Sequence, residues 1–214
     1  MTVINYNWRT FKNYGYIFCK LTDEQLAPIK KEIHDIQSDF DKYEHRRYTK
    51  NLAGNIRREY SLEASIPHLS DIVLPLSQAY DEQFDYTSQL SFSKNKHPLF
   101  LPISWVNFQK KYEFNPTHSH DGVMSYVIYI SVPYNYEDEV KYSPGSESNN
   151  PSAGTFEFVY ANSIGGVVTE TIPIDKNMEN TILVFPSKFA HHVHPFYSSD
   201  GFRVSVSGNI RFNI

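Results

Sequence analysis

Ser125-Tyr-Val-Ile-Tyr-Ile-Ser-Val132 is a run of β-branched and aromatic residues, the composition of a β-strand. Ile103-Ser-Trp-Val-Asn-Phe-Gln109 precedes it in the same texture. Gly154-Thr-Phe-Glu-Phe-Val-Tyr160, Gly166-Val-Val-Thr-Glu-Thr-Ile172, Thr181-Ile-Leu-Val-Phe185 and Phe202-Arg-Val-Ser-Val-Ser207 follow it. Gly, Pro, Asn and Asp punctuate these runs, which predicts a mostly antiparallel sandwich or barrel. Tyr142-Ser-Pro-Gly-Ser-Glu-Ser-Asn-Asn-Pro-Ser152 is too polar to pack and reads as an exposed loop. Upstream of Pro98 the pattern is helical. Thr22-Asp-Glu-Gln25 is a capping box, and behind it Leu26, Ile29, Ile33, Ile36 and Phe40 recur at helical spacing. A second helix is expected over Ser70 to Tyr86, kinked or interrupted by Pro75. Tyr14 to Leu21 reads as a partly buried strand, and Asn51 to Tyr60 as a loop with room for a short one. The expectation is one domain over 1–214, mainly β with N-terminal helices: a helical support region, 1–95, and a β-rich core, 96–214.

The chain has 214 residues, 40% of them hydrophobic and 21% charged, which suits a single globular domain. Its 16 Tyr and 15 Phe favour strands over helices. A net charge of −4 leaves no basic footprint, so nucleic acid is not an expected partner. Arg46, Arg47, Arg57 and Arg58 read as a solvated surface patch. The one cysteine, Cys19, excludes an intramolecular disulfide and a cysteine-based zinc site. Met1 to Tyr6 carries no leader pattern, and no apolar run approaches the ~20 residues of a membrane span. The expectation is a soluble, cytoplasmic protein.

Five of the nine histidines fall at 118/120 and 191/192/194, each cluster beside a predicted strand. Residues i and i+2 of a strand share a face, so His118 and His120 can converge on one ion. Pro116 and Gly122 mark the place as a strand end entering a loop. His191 follows the apolar stretch Phe185 to Ala190 and its turn, which can return a third imidazole to the pair. Imidazole suits Fe, Zn, Cu and Ni alike. His192 should then face away from the ion, and His194 should lie on a different face again. Arg203-Val-Ser205 adds a guanidinium and a hydroxyl on one face of the next strand, a pair suited to a dicarboxylate ligand.

Taken in order, Trp105-Val-Asn107, Asn115-Pro-Thr-His-Ser-His120, Ser125 to Pro133, Phe185 to His191 and Arg203-Val-Ser205 resemble the Fe(II)/2-oxoglutarate-dependent oxygenase superfamily. The likeness covers roughly residues 100–214 and is greatest to members from phages and marine bacteria. It implies a double-stranded β-helix (jelly roll) core, with Fe(II), 2-oxoglutarate and O2 as cofactor and cosubstrates. His118 matches the first iron ligand and His191 the distal one. His120 stands where the superfamily has a carboxylate, and His120, the neighbouring Asp121 or water are all open as the third ligand. Arg203 matches the arginine that pairs with the C5 carboxylate of 2-oxoglutarate. Ser205 and Tyr129 fall in the same pocket, and Asn107, with Gln109, can line it. The implied reaction hydroxylates a substrate C–H bond while 2-oxoglutarate is decarboxylated to succinate and CO2. Two alternatives stand beside it: a cupin-like metalloenzyme, or a non-catalytic jelly-roll binding or structural protein. A cupin would place a glutamate shortly beyond the histidine pair, where this chain has Met124 and Ser125. Candidate substrates are small molecules, protein side chains and nucleobases, and the stretches 41–60 and 134–153 are expected to face them. A homodimer is compatible with the sequence.

Overall fold

The computed structural model describes residues 7–9, 11, 13–90 and 97–213; the leader reading of Met1 to Tyr6 lies outside them. In chain order the elements are β1 (Ile17–Lys20), α1 (Asp23–Ser38), β2 (Glu59–Leu62), α2 (Ile66–Phe84), α3 (Tyr86–Gln89), β3 (Leu99–Gln109), β4 (Asn115–His118) and β5 (Met124–Ser131). Then come α4 (Tyr136–Tyr142), β6 (Thr155–Ala161), β7 (Val167–Pro173), β8 (Thr181–Pro186), β9 (Ala190–Val193) and β10 (Arg203–Phe212). A six-stranded sheet has the order β1-β8-β5-β10-β3-β2, and a four-stranded sheet the order β4-β9-β6-β7. Every pairing within them is antiparallel.

Burial on both faces explains why the central strands read as continuous apolar runs. On β8, Ile182 and Val184 pack toward the helices, while Leu183 and Phe185 pack against the small sheet. Val204 and Val206 of β10, with Val106 and Phe108 of β3, meet Leu26, Ile29 and Ile33 of α1 and Leu69 and Val73 of α2. Between the sheets, Val127, Tyr129, Leu183 and Phe185 face Phe156, Phe158 and Ile172. This is the expected jelly roll backed by helices, with the polar residues of β3 and β10 turned into the space between the sheets.

The N-terminal half departs from its helical description. It supplies both edges of the large sheet, β1, inside the strand expected over Tyr14 to Leu21, and β2, so its described residues are support and sheet together. The capping box forms: the Gln25 N–H donates to Thr22 Oγ1 at 3.2 Å, and the Thr22 N–H donates to Gln25 Oε1 at 2.8 Å. The helix ends at Ser38, and Phe40 continues the apolar face from beyond it, stacked on Tyr60 at 5.5 Å. Pro75 does not break α2, which runs through it from Ile66 to Phe84. Arg46 is not solvated as expected: its side chain is buried and ion-paired with Glu32. Glu32 also accepts the N–H groups of Glu63, Ala64 and Ser65 at 2.9, 3.1 and 2.8 Å, which ties α1 to the end of β2.

Candidate active site

His118 closes β4 and His191 lies on β9, where the two are direct cross-strand partners. His120 follows in the loop, held by its N–H donating to the Ser187 carbonyl at 2.8 Å. Gly122 then takes φ +133, a conformation L side chains rarely adopt; a Cβ there would stand 2.9 Å from the Ile210 carbonyl oxygen. That turn lets β5 start beside β10 and leaves His120 facing inward. Ring centroids are 4.5 Å apart for His118 and His191, 4.8 Å for His118 and His120, and 5.1 Å for His120 and His191.

The tautomers follow from the partners. His118 Nδ1 lies 2.7 Å from the Pro116 carbonyl, and His191 Nδ1 lies 2.8 Å from the Phe189 carbonyl. A carbonyl oxygen only accepts, so each Nδ1 carries the proton and each Nε2 keeps its lone pair. Burial holds all three imidazoles below their ordinary pKa, His120 at about 4 and His191 at about 3, aided by His118 beside them; His118 itself is also lowered by burial. They are neutral at pH 7, and one donor atom from each falls within 4.8 Å of the others. That donor set suits a divalent first-row metal ion. Asp121 does not join them: it is exposed and 3.6 Å from Lys188 Nζ.

The histidines open onto a cavity of about 640 Å³, counted to its mouth, whose opposite wall is β3 and β10. The register pairs Arg203 with Gln109, Ser205 with Asn107 and Ser207 with Trp105, so these six side chains share the inner face. Arg203 is 1% exposed. Its Nε and Nη2 donate to Gln109 Oε1 at 3.1 and 2.8 Å, Nη2 also to the His194 carbonyl at 2.8 Å, and Nη1 to Tyr134 Oη at 2.7 Å. All are neutral acceptors. Among the described residues no carboxylate forms an ion pair with it, so a buried cation lacks its counter-charge. Tyr129, close enough to feel the Arg203 charge, has a buried hydroxyl with no partner, and burial raises its pKa. Asn107 Nδ2 donates to Ser205 Oγ at 3.1 Å, while its Oδ1 is unpartnered. An anion with two carboxylates fits this end of the cavity on those grounds.

All seven site residues read from the sequence thus line one cavity. Trp105 lines it as well. Of the stretch 41–60, Leu52, Ala53, Ile56 and Glu59 reach it. The stretch 134–153 does not line it: it folds partly into α4, and only Tyr134 touches the site, through Arg203. Tyr134 and Glu59 were not singled out from the sequence. Tyr134 gives no signal in its Pro-Tyr-Asn surroundings; Glu59 shows only as the alternation of Tyr60 and Leu62 around polar neighbours. Glu59 is 1% exposed, its Oε1 has no partner, and burial, reinforced by Glu113, pushes its carboxyl up to about 8. His192 faces away from the triad as expected. His194 does not lie on a third face but stands beside His192, ring centroids 3.7 Å apart.

The family model described as "Putative 2OG-Fe(II) oxygenase" matches residues 103–209, half of the chain, including the three histidines and Arg203. The chain belongs to this family. Membership brings Fe(II), 2-oxoglutarate and O2 as cofactor and cosubstrates, makes the protein a dioxygenase, and displaces the cupin-like and non-catalytic alternatives. A Pseudomonas putida prolyl-4-hydroxylase shares the fold with a TM-score of 0.56 at 14% identity, over 92% of this chain and 93% of that one. The non-heme alpha ketoglutarate dependent epimerase SnoN from nogalamycin biosynthesis gives 0.53 at 11% identity, over 93% and 77%. AviO1 from Streptomyces viridochromogenes Tue57 gives 0.51 at 11% identity, over 94% and 90%. No curated protein matches the chain. No helix among the described residues is long and apolar enough to cross a membrane.

Proposed function

We propose that His118, His120 and His191 hold Fe(II), that Arg203, Tyr129, Ser205 and Asn107 hold 2-oxoglutarate, and that the protein hydroxylates a C–H bond of a substrate bound toward Glu59. The carrying observation is the buried Arg203 guanidinium, which has only neutral partners and faces three neutral imidazoles across one cavity. When bound, iron and 2-oxoglutarate supply the oxidising power for O2-dependent attack on an unactivated C–H bond. The chain's own residues do the positioning. Arg203 would take the distal carboxylate through its charge and the Nη1 N–H left free by its bonds to Gln109, Tyr134 and the His194 carbonyl, which hold the guanidinium plane fixed. Tyr129 Oη and Ser205 Oγ would add hydroxyl donors to the same carboxylate. The carbonyl contacts of His118 and His191 keep two Nε2 lone pairs aimed inward before any ion arrives. Phe156, Phe185, Val127 and Val193 wall the cavity and exclude water.

Substrate chemistry is indicated by what remains unpaired. Asn107 Oδ1 and Asn115 Oδ1 are buried acceptors without donors, Glu59 Oε1 is a buried carboxyl oxygen without a partner, and all three residues line the cavity. A small molecule or protein side chain rich in N–H or O–H groups would satisfy them. We place the protein in the cytoplasm, a setting consistent with its single cysteine, Cys19, being a free thiol. The test is anaerobic titration of the Fe(II)-loaded protein with 2-oxoglutarate, followed by its weak visible charge-transfer band. Arg203→Ala should weaken 2-oxoglutarate binding by about 100-fold, the worth of a buried charge-assisted pair, with metal affinity unchanged. A variant that binds 2-oxoglutarate as tightly as wild type refutes the assignment of Arg203; a wild type without the band refutes the site.

A further inference from the structure

Behind His191, on the opposite face of β9, His192 and His194 stand with Glu157 of β6. Residues two apart on an extended segment share a face, and Glu157 is the register partner of His192. The two imidazoles bring their Nε2 atoms into direct contact. Glu157 Oε2 lies 3.1 Å from His194 Nε2 and 3.9 Å from His192 Nε2. Two of the three groups are held from behind: Thr171 Oγ1 donates to Glu157 Oε1 at 3.1 Å, and Thr117 Oγ1 lies 3.3 Å from His192 Nδ1.

Glu157 is 7% exposed, and among the described residues no lysine or arginine pairs with it. Its negative charge therefore looks only to the two imidazoles. Those rings turn the same nitrogen to the same point, and one shared proton serves the group poorly: on His192 Nε2 it leaves the His194 lone pair facing the carboxylate, and on His194 Nε2 it must serve both the His192 lone pair and Glu157. A cation there takes a lone pair from each ring and meets the charge of the carboxylate. Donor atoms around a tetrahedral zinc ion sit about 3.3 Å apart, between the two Glu157 separations seen; the two Nε2 atoms, in direct contact without an ion, would move apart to that spacing on binding one. A surface groove along Pro116, Thr117, Val193 and Pro195 opens onto His192 and His194, giving a water access to a fourth position.

We propose that Glu157, His192 and His194 form a second divalent-metal site, of the zinc class, that clips β9 to β6. It is separate from the proposed iron site and independent of that reading. Its place in the fold gives it a structural role: β9 carries His191 on its inner face, and the His194 carbonyl accepts the Arg203 Nη2–H. The clip would fix both from behind.

The experiment is calorimetric titration of the chelator-stripped full chain with Zn(II). Two equivalents are expected for the wild type, and one each for H192A/H194A and H118A/H191A. Glu157→Gln keeps the shape and an acceptor for Thr171, so it tests the site without threatening the fold; it should weaken one equivalent by tenfold or more and leave the apo melting temperature in place. In H118A/H191A, Zn(II) should still raise the melting temperature. Wild-type uptake of one equivalent that H118A/H191A abolishes overturns the proposal, as does a second equivalent that survives both H192A/H194A and E157Q. If the iron reading alone were at fault, uptake would be untouched by H118A/H191A and lost in H192A/H194A, which supports this site.

Discussion

Glu59→Gln in the metal-free protein isolates the electrostatics of the cavity. The folded protein holds the Glu59 proton up to about pH 8, chiefly because burial penalises the carboxylate and Glu113 adds like charge, while Thr49 works weakly against them. An unfolded glutamate releases it near 4.5. The folded state therefore binds the extra proton between those values, and stability must fall as pH rises through that window and level off above it. A shift from 4.5 to about 8 is worth at most about 5 kcal/mol. Glutamine has nearly the shape of the protonated acid and cannot ionise. Urea unfolding at about pH 5, 6.5 and 8 should show the two proteins close in stability at the acid end. The variant should then gain on wild type by about 3 to 5 kcal/mol at the alkaline end. Parallel stability curves across that range would refute the reasoning, because they would mean that Glu59 titrates as an ordinary surface acid.

The imidazoles should act in the opposite direction. Their folded pKa values are depressed, so the unfolded chain takes up protons first, and apo stability should drop as pH falls from 6.5 toward 3. His191→Phe, measured by urea unfolding, should flatten that slope by about 2 to 3 kcal/mol between pH 6.5 and 4.5. Tyr129→Phe removes a buried hydroxyl that has no partner, so the apo protein should be as stable or about 1 kcal/mol more so; 2-oxoglutarate affinity, by titration, should fall about tenfold. Gly122→Ala must fit a Cβ against the Ile210 carbonyl at φ +133 and should cost about 2 kcal/mol or more in thermal unfolding, with metal affinity falling because His120 is displaced. Asp121→Asn should leave metal affinity unchanged, whereas His120→Ala should reduce it by at least tenfold; the reverse outcome would make Asp121 the ligand.

The sequence pattern was readable where function and local geometry coincide. His118, His120, Arg203 and Ser205 sit in pairs two residues apart; strand periodicity puts Arg203 and Ser205 on one face, whereas His120 lies beyond β4 and is turned inward by its loop. The strands β5 and β8 were readable because nearly all of each is buried on both faces and, apart from Ser125, Ser131 and Thr181, every position is apolar or aromatic. The edge strand β1 is legible inside the partly buried run Tyr14 to Leu21, whereas β2 is only four residues long and shows as no more than room for a short strand at the end of Asn51 to Tyr60. Glu59 owes its burial to pairing with Asn107, and Glu157 owes its place beside His192 to the β6–β9 register. Neither pairing leaves a trace within a few residues of the chain. Tyr134 is likewise placed by tertiary packing, stacked on Phe196 at 4.9 Å. Long-range register, not residue type, is what a local reading lacks.

The charge balance of the cavity turns on His120. With a carboxylate there, a bound dication would keep one net positive charge; with three neutral imidazoles it keeps two, in a cavity that already buries the Arg203 cation. Glu59 is the acid that lines this same cavity without a donor on Oε1. A dication favours the ionised form of a carboxyl sharing its water-poor surroundings, so metal binding should draw the Glu59 pKa down and release its proton. Glutamine cannot follow. Fe(II) affinity of Glu59→Gln should accordingly be lower than wild type by about tenfold, or ~1.4 kcal/mol, at pH 8, with the gap narrowing toward pH 6 as ionising Glu59 becomes costlier. His120→Asp, by returning a negative charge to the ligand position, should shrink the effect of Glu59→Gln. If the single and double variants instead lose affinity additively, Glu59 does not balance the charge at the metal, and its orphaned oxygen serves the substrate alone.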